Sequence, residues 1–116
     1  METIYTIDTD GLTAKLNKNE IDILHFIDSW LPTFDKWSVT ELAHKCNLFA
    51  SDCTDAVDML ILNGLLDNAG SDELMGRMVS VPPIAATWMR ENNETINSLH
   101  MMMDSDLFDD TEIATA

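Results

Sequence analysis

Ile23, Phe26, Ile27, Trp30 and Leu31 recur at helical spacing and set one apolar face on a helix. Asn17 precedes that run and Glu20 follows it at the spacing of a reciprocal capping box, so the helix opens at Asn17. Leu31-Pro32 ends it, and 33–36 reads as a loop. A second, shorter helix starts at Ser38: Ser38-Val39-Thr40-Glu41 repeats the capping pattern, and Leu42, Ala43 and Cys46 then face inward. A third runs from near Ser51 to Asn63, with Gly64 as the left-handed residue that closes it. Leu65-Leu66 opens a strand, Asn68–Glu73 reads as a turn-rich tip, and Met75–Val81 returns as a second strand. Pro82-Pro83 stops that strand and seeds a fourth helix, on which Ile84, Trp88, Ile96, Leu99 and Met103 form an apolar stripe. Ahead of these elements, Ile4, Tyr5 and Ile7 alternate with Thr and Asp, consistent with a short strand or an ordered arm. The expected organisation is an N-terminal strand or arm (1–16), a helical core with a hairpin (17–82), a C-terminal helix (83–103) and an acidic flexible tail (104–116).

Composition narrows the possibilities. A chain of 116 residues, 46% apolar, has material for one domain with a real core. Against 21 Asp and Glu stand 6 Lys and Arg, a formal charge of −15. Duplex DNA binding is driven largely by cations that displace counterions from phosphates, so direct DNA binding is not expected and the partner is not a polyanion. The first residues lack the basic start and apolar run of a signal peptide, and no stretch approaches the ~18 apolar residues of a membrane span. Cys46 and Cys53 read as small core thiols rather than a disulfide framework, which suits a cytoplasmic protein.

Trp37-Ser38-Val39-Thr40-Glu41-Leu42-Ala43-His44-Lys45-Cys46-Asn47-Leu48 resembles the second-helix signature of bacterial winged helix-turn-helix regulators. Cys53-Thr54-Asp55-Ala56-Val57-Asp58-Met59-Leu60-Ile61-Leu62-Asn63-Gly64-Leu65-Leu66 is similar to the family's third helix running into its first wing strand. The resemblance covers roughly residues 18 to 90. It implies a mainly α winged helix with a small antiparallel hairpin, and a third helix that lies in the major groove in DNA-binding members. The outward positions depart from that chemistry. With Cys53 as origin and about 100° per residue, Ala56, Val57, Leu60 and Gly64 cluster toward the core, while Asp52, Asp55 and Asp58 fall opposite. Asp72 and Glu73 occupy the wing tip where a basic residue is usual, and Arg77 alone reaches toward a phosphate.

A charged helix face is usually a solvated face. Two features weigh toward a binding role here. Asp has poor helix propensity yet recurs three times, and Met59 and Leu62 share the outward side with it. Met59 and Leu62 packing beneath the wing or against another subunit is the competing explanation. The eight methionines serve as adaptable core fillers or, with Trp88, Met89, Ile96, Leu99 and Met103, mark the fourth helix as a homodimer face.

No catalytic set, phosphate loop or dinucleotide fingerprint is present, and no metal or cofactor is expected. His25, His44 and His100 fall on separate predicted helices without ligand spacing, and the acids of 104–116 lack the glycine and terminal glutamate of a calcium loop. The favoured expectation is a non-enzymatic, acidic protein-binding module. It would inhibit or modulate a nucleic-acid-handling protein by filling its basic groove, as a DNA mimic does. Small acidic phage proteins, anti-CRISPR proteins among them, are similar in size and charge. Its partner-binding residues would be Asp52, Asp55, Asp58, Met59, Leu62, Asp72 and Glu73. The alternative is a dimeric winged-helix transcription regulator using Lys18, Lys36, Lys45 and Arg77, with Ser38, Thr40, Ser51 and Thr54 donating to phosphates. The third reading is a structural assembly module.

Overall fold

The computed structural model describes residues 3–9, 12–31, 33–34 and 36–102. Met103 and the predicted tail lie outside the described residues. An antiparallel hairpin of β1 (Tyr5–Thr9) and β2 (Leu12–Leu16) opens the chain, in a register that sets Thr6 opposite Lys15 and Ile7 opposite Ala14. Ile7, Ala14 and Leu16 are buried in the common core, so this segment is part of the body rather than an arm.

Helix α1 (Lys18–Trp30) begins at the reciprocal cap read from the sequence. The Asn17 side chain accepts from the Glu20 amide at 3.0 Å, and the Glu20 carboxylate accepts from the Asn17 amide at 3.2 Å. A three-residue strand β3 (Lys36–Ser38) follows, and Ser38 caps α2 (Val39–Lys45) by accepting from the Glu41 amide. Asn47 then takes a left-handed conformation (φ 56°). The Leu48 amide donates to the Ala43 carbonyl at 2.8 Å and the Asn47 amide to the His44 carbonyl at 3.3 Å, the paired bonds of a Schellman turn. Helix α3 (Ala50–Leu62) ends in the same motif around Gly64 (φ 77°), with Leu65 donating to Leu60 and Gly64 to Ile61. Cys53, Ala56, Val57 and Leu60 bury one side of α3 against α1 and α2.

The wing is β4 (Asp67–Asp72) and β5 (Gly76–Ser80). With β3 they form a three-stranded antiparallel sheet ordered β3-β5-β4, in which Trp37 pairs with Val79. The turn at the tip is 73–75, beyond the predicted Asn68–Glu73, because β4 continues through an irregularity between Asn68 and Ser71 that absorbs Gly70. Leu65 and Leu66 are buried ahead of the strand they were expected to start. Helix α4 (Pro83–Glu91) carries Pro83 in its first turn. It stops at Asn92, whose side chain donates to the Trp88 carbonyl at 2.9 Å, and helical conformation resumes over 93–102. Helix, short helix, helix and hairpin in this order make the chain a winged helix-turn-helix domain, mainly α with antiparallel hairpins.

Candidate functional site

The two Schellman turns fix the directions of α2 and α3, and the shared apolar seam sets which side of α3 faces out. Asp52, Asp55, Asp58, Met59 and Leu62 all lie on that outer side, Leu62 with 79% of its surface exposed. The acids do not form one free row. Asp52, Asp55 and Met59 border a groove of about 660 Å³ whose other wall carries Ile4, Lys15 and Lys18. Asp58 faces the wing instead, where its carboxylate pairs with the Arg77 guanidinium at 2.9 Å. The Asn68 carboxamide oxygen accepts from the same guanidinium at 2.9 Å (Nη2) and 3.3 Å (Nε), so α3, β4 and β5 together hold the one cation of the wing.

At the wing tip Asp72 turns back on its own chain. Its Oδ1 accepts from the Leu74 amide at 2.8 Å and the Met75 amide at 3.0 Å. The Met75 and Leu74 amide bonds hold this exposed carboxyl below its usual range. Glu73 and Leu74 are left at the exposed tip. The Ser38 hydroxyl donates to the Met75 carbonyl at 2.8 Å, tying the tip of the wing to the start of α2. At the N-terminus of α3, Phe49 occupies the N-cap position and gives no side-chain cap, so the first-turn amides of α3 have no side-chain acceptor among the described residues.

The predicted dimer face on the C-terminal helix is corrected. Trp88, Met89 and Ile96 are buried inside the single chain and Leu99 packs against the same core. The stripe is turned inward against α1 and the common core, while Ile84, expected within it, is exposed. Met103 lies outside the described residues.

Two histidines expected to lie apart are brought together. The His25 and His100 rings stack at 4.0 Å and 9°, with His100 Nδ1 3.0 Å from Asp22 and His25 Nε2 3.0 Å from Asn97. Among the described residues, no group of three or more His, Cys, Asp or Glu is arranged to hold a metal ion. Burial, followed by the Asp22 carboxylate and the Cys53 thiol, pushes the Cys46 thiol up to about 12, and burial pushes Cys53 to about 11. Both thiols are free. Sequence reasoning missed Asn68, Lys15 and Lys18 as neighbours of the acids. Nothing local signals them, since they arrive through the wing register and the N-terminal hairpin.

No family model and no curated protein matches the chain. Solved structures do. A MarR-family transcriptional regulator from Silicibacter pomeroyi is similar over 76% of this chain and 57% of its own, with 18% identity and a TM-score of 0.55. A second MarR-family regulator from Silicibacter pomeroyi DSS shares 19% identity over 84% of this chain and 66% of its own, also at 0.55. A MarR-family regulator from Neisseria meningitidis shares 15% identity over 86% and 74%, again at 0.55. The chain therefore spans less than two thirds of the first two.

These likenesses share the winged-helix fold and overturn the expectation of a DNA-mimic inhibitor that fills a basic groove. The matching scaffolds are transcriptional regulators, and none is a phage or anti-CRISPR protein. The side-chain geometry agrees with the correction. Asp58 is committed to Arg77, Asp72 to its own turn, and Asp52 and Asp55 share a groove with two lysines, which is not a row of carboxylates spaced like phosphates.

Proposed function

We infer that this chain is a non-enzymatic, winged-helix DNA-binding module of a transcription regulator, acting as a homodimer. The observation that carries the reading is the α2-turn-α3-wing unit, with both helix ends fixed by Schellman turns and the wing tied to α2 through Ser38. The similar structures, transcriptional regulators of the MarR family, support it.

The uncapped first turn of α3, with Ser51 exposed and Thr54 half-buried beside it, offers amide and hydroxyl donors to phosphate oxygens. Arg77, oriented by Asp58 and Asn68, stands at the junction of reading helix and wing. Lys36 on β3 and Lys45 at the end of α2 are the other cations of the unit. With so few, affinity rests on hydrogen bonding and dimer symmetry more than on counterion release.

The test is selection of duplexes from a random library at low salt, followed by anisotropy across salt concentrations. The expected outcome is an enriched two-fold-symmetric sequence and a log–log salt slope no steeper than about −5, from about six phosphate contacts per dimer. Arg77→Ala should weaken binding about tenfold. No enrichment at low salt overturns the reading.

A further inference from the structure

The hairpin has two outer edges, and only one is covered. Along β2, the Asn63 side chain behaves as a short strand: its Oδ1 accepts from the Lys15 amide at 3.2 Å and its Nδ2 donates to the Lys15 carbonyl at 3.4 Å. That contact also fixes the pairing pattern. The Lys15 amide and carbonyl point away from β1, so Lys15 and Thr6 form a non-hydrogen-bonded pair, and Thr6 likewise directs its amide and carbonyl away from β2. Asp8, two residues on, does the same. Among the described residues no strand pairs with this edge and no hydrogen bond reaches the outward backbone groups of Thr6 or Asp8. The edge carries no proline, no lysine and no bulge, the usual devices that keep strands from pairing.

We propose that the outer edge of β1 pairs antiparallel with β1 of a second copy of this chain, joining two hairpins into a four-stranded sheet. Two registers use the outward groups without setting the two Asp8 carboxylates opposite each other. Setting Thr6 against Thr6 places the exposed Ile4 opposite a carboxylate, Asp8 of the other copy. Setting Thr6 against Asp8, with the two-fold axis at Ile7, places the side chains on the exposed face in the order Lys15, Thr6, the partner's Asp8, the partner's Thr13. Strands lie about 4.8 Å apart, so the Lys15 stem crosses the short Thr6 and meets the partner's Asp8, and symmetry repeats the pair. The Asp8 carboxylate retains a free oxygen for it, since the Thr13 hydroxyl donates to Oδ1 at 2.9 Å. This charge complementarity selects the second register and selects a copy of the same chain as the occupant. One edge pairing falls short of the ~1,200 Å² of a standard interface, so the dimer is a weak one.

The surface is independent of whether the chain reads DNA, and its assay contains none. Sedimentation velocity of the full chain from about 5 to 500 μM, at about 0.15 M salt, where long-range repulsion is damped and a contact ion pair is retained, should show a monomer–dimer equilibrium. Thr6→Pro removes an outward amide without removing a hairpin bond and should weaken association at least tenfold. Asp8→Lys, which leaves every backbone group in place, should weaken it similarly by facing the partner's Lys15. Asp8→Lys combined with Lys15→Asp should restore it. A wild-type chain that stays monomeric throughout overturns the proposal. So does a dimer indifferent to these variants, or a double swap that fails to recover.

Discussion

Asn63 is where α3 ends and where the hairpin is clamped to it, so its removal has a magnitude that can be worked from the geometry. Its side chain makes three bonds: from the Lys15 amide at 3.2 Å, to the Lys15 carbonyl at 3.4 Å and to the Met59 carbonyl at 2.9 Å. All three are at the surface, where water replaces much of what is lost, so each contributes about 0.5 kcal/mol, the lower end for an intramolecular bond. Asn63→Ala should therefore cost about 1–2 kcal/mol. For a domain of this size that lowers Tm by about 4–8 °C. Asn63→Asp should cost more: it keeps the acceptor for the Lys15 amide, faces two carbonyls without a donor and adds a negative charge at a helix C-terminus. Calorimetry gives Tm, and amide exchange at Lys15 reports the clamp directly, since that amide loses its only side-chain acceptor. An Asn63→Ala chain with Tm within 1 °C of wild type and unchanged Lys15 exchange would refute the clamp.

The thiols give a pH signature. With Cys46 at about 12 and Cys53 at about 11 in the folded chain, against 9.0 for an ordinary thiol, the unfolded chain releases these protons first. Their stabilisation is full below pH 9 and is lost as pH rises through 11–12, by up to about 1.4 kcal/mol per thiol per unit. Urea titrations at pH 8, 9.5 and 10.5 should show the decline, and the Cys46→Ala/Cys53→Ala chain should lose most of it; equal slopes in the two proteins would rule the thiols out. Glu20→Ala removes the buried half of the α1 capping box and should cost about 1–2 kcal/mol in denaturant melts, with a cost near zero counting against the box as a stabilising contact. The Trp37 and Trp88 indole N–H groups are buried with no acceptor among the described residues. Trp88→Phe should then cost less than about 1 kcal/mol, because removing an unsatisfied donor offsets much of the lost contact, whereas Trp88→Ala should cost about 3–5. A Phe variant as damaged as the Ala variant would mean the N–H is satisfied.

Elements specified by local chemistry were legible in the sequence. Asn17 with Glu20, Ser38, Gly64 and Pro83 each mark a helix end through a bond or backbone preference made within a few residues, and each marks one in the structure. Features made by distant partners were not. β3 is three residues long and exists because Trp37 pairs with Val79, which no local pattern announces. The wing tip was placed too early because Gly70 and Ser71 look like turn residues, while the irregular pairing of β4 and the Asp72 side chain carry the strand past them. The helical wheel gave the outward side of α3 but not the partners waiting there. Arg77 and Asn68 reach Asp58 only once the wing has formed, and the two lysines arrive with the hairpin. The inward turn of Trp88 and Met89 was likewise invisible, since an apolar stripe looks the same whether its own chain or another molecule covers it.

The first strand and the last helices depend on each other. The Thr9 hydroxyl donates to the Asn92 carboxamide at 2.9 Å, the Asn93 side chain bonds Asp28, and Ile7 shares its core with Trp88, Met89 and Ile96. During synthesis, the hairpin emerges before the helices that share its core. Until α4 emerges, Ile7 lacks the Trp88, Met89 and Ile96 side chains that share its core, and a two-stranded hairpin is marginal by itself. A nascent chain can settle α1, α2, α3 and the wing early, but its ends close only when translation of α4 is complete. A stop or pause before Asn92 would leave an apolar hairpin exposed to chaperones and to other nascent chains.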